Sequence, residues 1–320
     1  MPELPEVETT KTSLAPLLGQ QVTDVKVFQP KLRWSMPDDL TQLIDYTLDS
    51  VERRAKYLIL NFLPPLPNSS ITTGYTTLAP RQLLIHLGMS GSLQQHSAGT
   101  EKRKHDHLVI GFNNADNVPT QLHYHDPRRF GSVLWYEDYG PKLLDHLGPE
   151  PLSKSFTADY LYQLIQRMDL SDKTTLKTTA GKTIASKAKP KKQPMTRAIK
   201  SVIMEQQVVV GVGNIYATES LYLSKIHPAT PAHLLSYDDI VILVEHIKMI
   251  LQKAIELGGS TLRDFTVASG QTGYFQQTLN VYGRQGEDCP NCAAILDNIK
   301  LNGRASVFCP ECQPLPKPNR

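Results

Sequence analysis

Short apolar runs separated by turn residues dominate the chain between positions 22 and 136. The clearest runs span 22–28, 57–62, 82–86, 108–112 and 132–136, and each has the length and composition of a β-strand. Their regular spacing favours a β-sandwich or a β-barrel. This part of the chain is therefore predicted to be an all-β region.

Helical periodicity precedes and follows this β region. Residues 4–19 carry apolar positions at helical spacing and end at Gly19, which predicts a short amphipathic helix. Three further helices are predicted over 196–206, 214–224 and 236–257, the last ending at two glycines. The whole pattern predicts an α+β protein with several domains.

Two segments are too biased in composition to fit either pattern. Residues 63–81 are rich in Pro, Ser and Thr, which predicts a loop insertion between two strands. Residues 169–194 contain seven lysines and few apolar side chains, so a disordered linker is expected. A basic arm that contacts a phosphate backbone is the alternative for the second segment.

Length, composition and charge place limits on the class of protein. A chain of 320 residues predicts two or three domains, and 40% hydrophobic with 20% charged residues is typical of soluble proteins. The net charge of +3 is small, so a nucleic-acid surface would need local clustering of cations. The sequence has no recognisable signal peptide or membrane-spanning run, and an intracellular protein is expected.

All four cysteines lie in one short segment with the spacing Cys289-x2-Cys292-x16-Cys309-x2-Cys312. Two C-x2-C pairs joined by a β-hairpin supply four thiolates to one tetrahedral Zn²⁺. No position is left for a catalytic water, so one structural zinc ion is predicted. The turn at 300–304 between the pairs presents two cations, and it is either a solvated hairpin tip or a finger that grips phosphate.

The first residues offer a candidate nucleophile. Pro2 follows the initiator Met, and removal of Met1 would leave a secondary amine with a pKa about 2 units below that of a Lys side chain. Such an amine can attack an electrophilic carbon, and Glu3 and Glu6 could move the protons involved. The alternative is an ordinary helix start with Pro and acidic residues in its first turn.

Several loops have both a structural and a DNA-binding interpretation. The glycines before Asn214 suit either a tight turn or an anion site, and they lack the third Gly of a dinucleotide fingerprint. Met89 is predicted at a hairpin turn. Residues 126–131, Asp-Pro-Arg-Arg-Phe-Gly, form a turn that is either a surface ion pair over a core Phe or a loop that enters a DNA groove. Residues 53–57 are predicted to open a strand with three cations.

Taken in order, these motifs resemble the formamidopyrimidine-DNA glycosylase family, the bacterial-type enzymes that excise oxidised purines. The matching strings cover nearly the whole chain: PELPEVET, RRAKYL, HLGMSGSL, KHDH, DPRRFG, HLGPEPL, VVGVGNIYATESL, GGSTLRDF, GYF, VYGR and the Cys quartet with its NGR turn.

The resemblance implies an N-terminal helix plus β-sandwich, a helix-two-turn-helix region and a C-terminal β-hairpin zinc finger. The expected boundaries are a catalytic domain at 1–136, a hinge with connecting helices at 137–168, the Lys-rich linker at 169–194, the helix-two-turn-helix domain at 195–258, a lesion-capping loop and connection at 259–284, the zinc finger at 285–313 and a tail at 314–320.

The resemblance also implies roles for individual residues. Pro2 matches the nucleophile that forms a Schiff base with C1′, Glu3 the acid/base, and Lys56 a lysine that contacts phosphate and assists catalysis. Glu6 matches a carboxylate of the lesion pocket. The remaining matches concern DNA. Three of them, Met89, Arg128 and Phe130, would fill the hole left by base flipping. Backbone-phosphate contacts are matched by His105, Lys200, Asn214 and Arg304, of which Arg304 also belongs to the catalytic group, and Tyr282 matches a tyrosine near the same phosphates.

The activity implied is a bifunctional DNA glycosylase/AP lyase of base excision repair, acting on 8-oxoguanine and formamidopyrimidines by β,δ-elimination. Its expected partner is damaged double-stranded DNA; a monomer in the cytoplasm, associated with the nucleoid through DNA and with no membrane contact, is predicted. Two alternatives remain open: an endonuclease VIII-like enzyme for oxidised pyrimidines, which Leu4 disfavours, and a zinc-finger DNA-binding protein without catalysis.

Two departures from the family pattern concern the second half of the chain. The segment 169–194 is longer than usual, and the basic residue normally found a few positions before Lys200 is missing. Arg197 or the Lys-rich arm is the candidate replacement.

Overall fold

The computed structural model describes residues 2–65, 78–113, 116, 118–168, 193–259 and 278–316. The chain divides into two compact units, the first comprising Met1–Leu147 with Lys253–Thr278 and the second Gly148–Gln252 with Leu279–Arg320. The segments 66–77, 169–192 and 260–277 lie outside the described residues. Most of the predicted insertion, Lys-rich linker and lesion-capping loop falls within them.

The described residues of the first unit form two complete α-helices and eight strands. In chain order these are α1 (Leu4–Ser13), β1 (Gln21–Val27), β2 (Thr47–Arg54), β3 (Tyr57–Leu63), β4 (Arg81–His86), β5 (Ser92–Ser97), β6 (Asp106–Asn113), β7 (Pro119–His125), β8 (Ser132–Trp135) and α2 (Tyr136–Leu144).

The strands form a β-sandwich, as predicted. They are all antiparallel in the order β5-β7-β6-β1-β2-β3-β4-β8. The only β1–β2 pair is Gln21 with Thr47, so the order separates into two four-stranded layers that join at that pair. Apolar side chains from both layers pack in one core, which also receives Val7 of α1.

The alternation of strand side chains fills this core. Leu58, Leu60 and Phe62 of β3 are fully buried, and Leu108 and Phe112 of β6 join the same cluster. The sequence pattern did not single out β2, β5 and β7, because these strands carry many polar or charged residues on their second face.

The first predicted helix is shorter than expected. α1 ends at Ser13, and a 3₁₀ turn covers Ala15–Leu17. Pro16 has no N–H to continue the α-helical hydrogen bonding, which accounts for the early end.

The second unit contains α3 (Ala158–Ile165), α4 (Ile199–Ile203), α5 (Asn214–Leu223), most of α6 (Tyr237–Glu256), β9 (Asp297–Leu301) and β10 (Arg304–Phe308). The predicted helix 196–206 is reduced to α4. Its expected first turn is instead bonded to a neighbouring segment, since Ile199 N–H donates to Thr230 O and Ala232 N–H donates to Arg197 O. Among the described helices, none is both long enough and apolar enough to cross a bilayer.

Candidate active site and nucleic-acid interface

The start of α1 holds two buried carboxylates directly after Pro2. Glu3 is the N-cap residue and forms a capping box with Glu6, whose Oε2 accepts from Glu3 N–H at 2.8 Å. The side chains are almost completely buried, at 3% and 1% exposed. Local sequence thus fixes both acids beside the candidate nucleophile.

Glu6 also lies against the beginning of the predicted lesion-capping loop. Gly259 follows α6, has φ +80°, and donates its N–H to Ala254 O at 2.8 Å. A Cβ at this position would lie 3.3 Å from Glu6 Cγ and Oε1. Gly259, the first residue of that predicted loop, therefore lies close to Glu6, the carboxylate assigned to the lesion pocket.

An ion pair ties α1 to the turn between β2 and β3. Arg53 Nε lies 2.5 Å from Glu8 Oε2, and Arg53 Nη1 donates to Ala55 O at 3.0 Å. Burial raises the pKa of Glu8, but hydrogen bonds and charges from Lys11 and Arg53 outweigh it and lower that pKa below its ordinary value. The helix that begins next to Pro2 is thus fastened to the turn that carries Lys56.

Lys56 lies in this turn and is only 7% exposed. Residues 53–57 do not open a strand as predicted: Arg53 and Arg54 end β2, Ala55 adopts φ +55°, and Tyr57 begins β3. The tight turn buries the lysine stem instead of leaving it on a strand edge.

His86 lies at the end of β4, where burial and nearby positive charges keep its ring neutral. Burial lowers the pKa of His86 to about 4, with further lowering by the charges of Lys56 and Arg33. Its Nδ1 accepts from Gly88 N–H at 3.0 Å, so the neutral ring carries its proton on Nε2. Sequence reasoning did not assign this histidine a role.

The three residues predicted to fill the flipped-out base's place lie on two adjacent turns. Met89, Arg128 and Phe130 are all exposed, and the Arg128 guanidinium lies 5.0 Å from the centre of the Phe130 ring. A Cβ on Gly88 would lie 2.4 Å from Gly131 N, so the two turns touch through their backbones. The Met89 turn is not a hairpin as predicted, since β4 pairs with β3 and β8 while β5 pairs with β7.

His105 lies half-buried beside a histidine that bonds the buried carboxylate of Asp106. Its ring contacts that of His125, whose Nδ1 is 2.8 Å from Asp106 Oδ1. Burial raises the pKa of Asp106, but hydrogen bonds from His125, Arg103 and His123 outweigh it and hold that pKa well below its usual range. A cavity of about 350 Å³ next to His105 is lined by the cations of Lys102, Lys104 and Arg129.

In the second unit, Asn214 is the first residue of α5 and follows Gly211 and Gly213, as the sequence predicts. Gly211 adopts φ +78° and its N–H donates to Gln206 Oε1 at 2.8 Å. Asn214 Oδ1 is buried and finds no hydrogen-bond partner among the described residues. The start of α5 thus presents one buried side-chain oxygen that has no hydrogen-bond partner within the described part of the chain.

Tyr282 is positioned by a carboxylate that sequence reasoning missed. Glu219 of α5 is fully buried, and its Oε1 accepts from Val281 N–H at 2.9 Å and Tyr282 N–H at 2.8 Å. Its Oε2 accepts from Asn280 N–H and Nδ2, both at 2.9 Å. One charged side chain thereby satisfies the backbone of three consecutive residues.

Lys200 lies inside the protein rather than on its surface. It is 1% exposed, and its Nζ donates to Ala305 O at 3.1 Å and Ser306 Oγ at 2.7 Å. Asn302 of the hairpin tip also donates to Ser201 Oγ at 2.9 Å. The ammonium group expected at a phosphate thus fastens the β9–β10 hairpin to α4.

Arg304 is exposed at the first position of β10. It follows a two-residue turn in which Asn302 and Gly303 have φ of 47° and 77°, the pattern that favours an Asn-Gly pair in a hairpin. The replacement candidate Arg197 instead forms an ion pair with Glu205.

The four cysteines come together at the base of this hairpin. Their sulfur atoms all lie within 4.8 Å of one another, with Sγ–Sγ distances of 3.9 Å for Cys289–Cys312 and 3.4 Å for both Cys292–Cys309 and Cys292–Cys312. Tetrahedral thiolates around zinc, at about 2.3 Å from the metal, have sulfurs about 3.8 Å apart, so the arrangement fits a bound metal ion.

A tyrosine supports the same cluster from α5. The Tyr222 hydroxyl lies 3.3 Å from Cys289 Sγ. Burial raises the pKa of Cys289, but hydrogen bonds from Tyr222 and the backbone N–H groups of Asn291 and Cys292 lower it to about 6. The hydrogen bonds therefore favour the thiolate at Cys289, whereas burial raises the pKa of Cys309 to about 12 in the same cluster.

Comparison with known proteins follows the same division of the chain. Residues 1–133 match the model of the formamidopyrimidine-DNA glycosylase N-terminal domain, and residues 170–266 match that of the H2TH domain of the same enzymes. A Psychrobacter arcticus protein named formamidopyrimidine-DNA glycosylase is 72% identical over 98% of this chain and 99% of its own length.

Solved structures agree with this result. A Lactococcus lactis FPG variant in complex with DNA containing Fapy-dG has a TM-score of 0.76 and 32% identity, covering 98% of this chain and 100% of its own. The Lactococcus lactis protein in complex with DNA containing an abasic site has a TM-score of 0.76 and 31% identity, covering 98% of this chain and 99% of its own.

Proposed function

Since the chain belongs to the formamidopyrimidine-DNA glycosylase family, we propose that it excises oxidised purines from duplex DNA and then cleaves the strand. The observation that carries the proposal is the pair of buried carboxylates, Glu3 and Glu6, placed by α1 directly after Pro2. Relatives crystallised with Fapy-dG and with an abasic site support the substrate and the second reaction.

The covalent chemistry begins at Pro2 once Met1 has been removed. The secondary amine attacks C1′ and loses its proton, the new N–C1′ bond replaces the bond to the damaged base, and the departing base takes up a proton. Glu3 then gives a proton to O4′, the C1′–O4′ bond breaks, and the opened sugar carries an iminium at C1′. Lys56, held in its turn, contacts the neighbouring phosphate. The resulting iminium acidifies the C2′ proton; loss of that proton breaks the C3′–O bond, and a second elimination breaks the C5′–O bond.

DNA is held by groups from both units. Met89, Arg128 and Phe130 enter the space of the flipped nucleotide, with Arg128 facing the orphaned cytosine. His105, Asn214 and Arg304 contact backbone phosphates, with Tyr282 beside them. For Lys200, whose ammonium is bonded to β10, we propose an indirect contribution through the hairpin that presents Arg304.

The Cys cluster is proposed to hold one structural zinc ion through Cys289, Cys292, Cys309 and Cys312. When bound, zinc locks the two C-x2-C turns and so fixes the hairpin. We also propose that the protein acts as a monomer, and that the domain limits expected from the sequence describe its functional parts.

Strand cleavage of defined duplexes tests the function. The protein is expected to cut a duplex with 8-oxoguanine opposite cytosine faster than one with an oxidised pyrimidine, and Glu3→Gln is expected to lose on the order of 100-fold or more in rate. Glu101→Gln, at an exposed position, is the matched control. Cleavage of the pyrimidine lesion alone would favour an endonuclease VIII-like enzyme, and binding without cleavage a non-catalytic protein.

A further inference from the structure

We propose that Asp126 is a positioning residue that holds the Met89 turn and the Arg128–Phe130 turn in one arrangement, so that the three side chains can enter the duplex together. The inference rests on the proposed function, since it assigns no chemistry to Asp126 itself. It concerns a residue that touches neither the lesion nor the reacting sugar.

The Asp126 carboxylate bonds both turns. Its Oδ1 accepts from Ser90 Oγ at 3.0 Å, next to Met89, and from Arg128 N–H at 3.3 Å. Its Oδ2 accepts from Gly131 N–H at 2.9 Å, next to Phe130. The side chain is fully buried, where hydrogen bonds to a charged acceptor are strongest.

The backbone of Asp126 is fixed independently of its side chain. Its N–H donates to His105 O at 3.0 Å, and its carbonyl accepts from Arg129 N–H at 3.2 Å and lies 2.8 Å from His107 Nε2. The carboxylate is therefore a rigid point on the β-sandwich. Both turns are hydrogen-bonded to this carboxylate, which therefore sets their positions.

Close backbone contact makes the arrangement sensitive to small shifts. A Cβ on Gly131 would lie 1.8 Å from Tyr124 Oη, and one on Gly88 would lie 2.5 Å from Phe130 C. The Tyr124 hydroxyl also donates to Asp126 Oδ2, at 3.4 Å. Because the backbones of the two turns are in close contact, we expect that loss of the carboxylate displaces the exposed side chains at the tips of the turns. The packed backbone beneath them is expected to stay in place.

The consequence for the reaction lies in the flipping step. Extruding a base costs a few kcal/mol, and side chains that fill the gap offset part of that cost. Their benefit depends on a fixed geometry, because a displacement of about 1 Å can cost on the order of 100-fold in rate. A DNA with no base to extrude and no partner strand makes no such demand.

The test compares two substrates with one variant. Asp126→Asn replaces one of the two accepting carboxylate oxygens with an NH₂ group, which cannot accept a hydrogen bond from the donors on the turns. Single-turnover excision from a duplex with 8-oxoguanine opposite cytosine is expected to fall on the order of 10- to 100-fold. Elimination at an abasic site in single-stranded DNA is expected to stay within about 2-fold of wild type, since the sugar is already accessible.

The second variant, Ser90→Ala, removes one hydrogen bond to the same carboxylate. Its excision rate on the 8-oxoguanine duplex is expected to fall less than that of Asp126→Asn, again with little change on the single-stranded abasic substrate. Asp49→Asn, at an exposed position on β2, is the matched control. Equal losses on both substrates, or no loss on either, would overturn the proposal. Failure of the proposed function is seen separately, as absence of 8-oxoguanine excision by the wild-type protein.

Discussion

At the residue scale, half-buried His86 shows how the surroundings of one side chain set its charge. It is neutral because burial outweighs the charge of Asp126, and Lys56 and Arg33 reinforce the effect. An imidazole that stays neutral near Lys56 adds no positive charge to that turn. Its ring also packs against Tyr57, with 4.8 Å between centroids.

This lowered pKa of about 4 predicts a pH dependence of stability. Between pH 4 and 6.5 the unfolded chain binds the His86 proton and the folded chain does not, so stability is lost as pH falls through this window. The largest contribution is about 1.4 kcal/mol per pH unit, or about 3 kcal/mol in total. When the free energy of unfolding is measured in urea at pH 7 and at pH 5, the difference between the two values is expected to be smaller for His86→Gln than for the wild type.

His146→Gln, an exposed histidine variant, is the control and should keep the wild-type slope. Asp106 affects a different range, because its lowered pKa makes its contribution fall only below about pH 4. An unchanged slope in His86→Gln would contradict the neutral assignment.

At the scale of elements, α5 connects three parts of the second unit. Asn214 begins the helix, Glu219 on its buried side binds residues 280–282, and Tyr222 near its end contacts Cys289. One rigid helix thus sets the places of a proposed phosphate contact, of Tyr282 and of the metal cluster. Such a connection explains why Glu219 is fully buried although it is charged.

Glu219→Gln is expected to lower the free energy of unfolding by about 3 kcal/mol. The amide offers one acceptor oxygen in place of two, which leaves buried N–H donors without partners. Urea unfolding measures the loss, and Glu287→Gln, in an exposed ion pair, is expected to change stability by no more than about 0.5 kcal/mol. Equal effects of the two substitutions would contradict the clamp.

The sequence predicted the β-sandwich and the Cys cluster, whereas it did not predict contacts between residues that are far apart in the chain. The Cys spacing and the Asn-Gly turn specify their structures locally, so both were predictable. Asp126, Glu219 and Lys200 act on partners 36, 62 and 105 residues away, respectively. No local pattern encodes such distances, so the bonds from Lys200 to β10 could not be predicted from the sequence.

At the scale of the whole molecule, the residues to which we assign roles fall in both units. The first unit contains Pro2, the carboxylates of Glu3 and Glu6 and the turns of Met89 and Arg128, and the second contains α5, the β9–β10 hairpin and the Cys cluster. The family's domain models match residues 1–133 and 170–266. The central claim is that the covalent step occurs at the first residue of the mature chain.

Borohydride trapping on a duplex with 8-oxoguanine opposite cytosine, followed by peptide mass mapping, tests that claim most directly. A stable adduct is expected at Pro2, on a chain that has lost Met1, because borohydride reduces the iminium to an amine that links Pro2 to the sugar. An adduct on Lys56 would keep the enzyme and contradict the nucleophile, and strand cleavage with no adduct at all would contradict covalent catalysis.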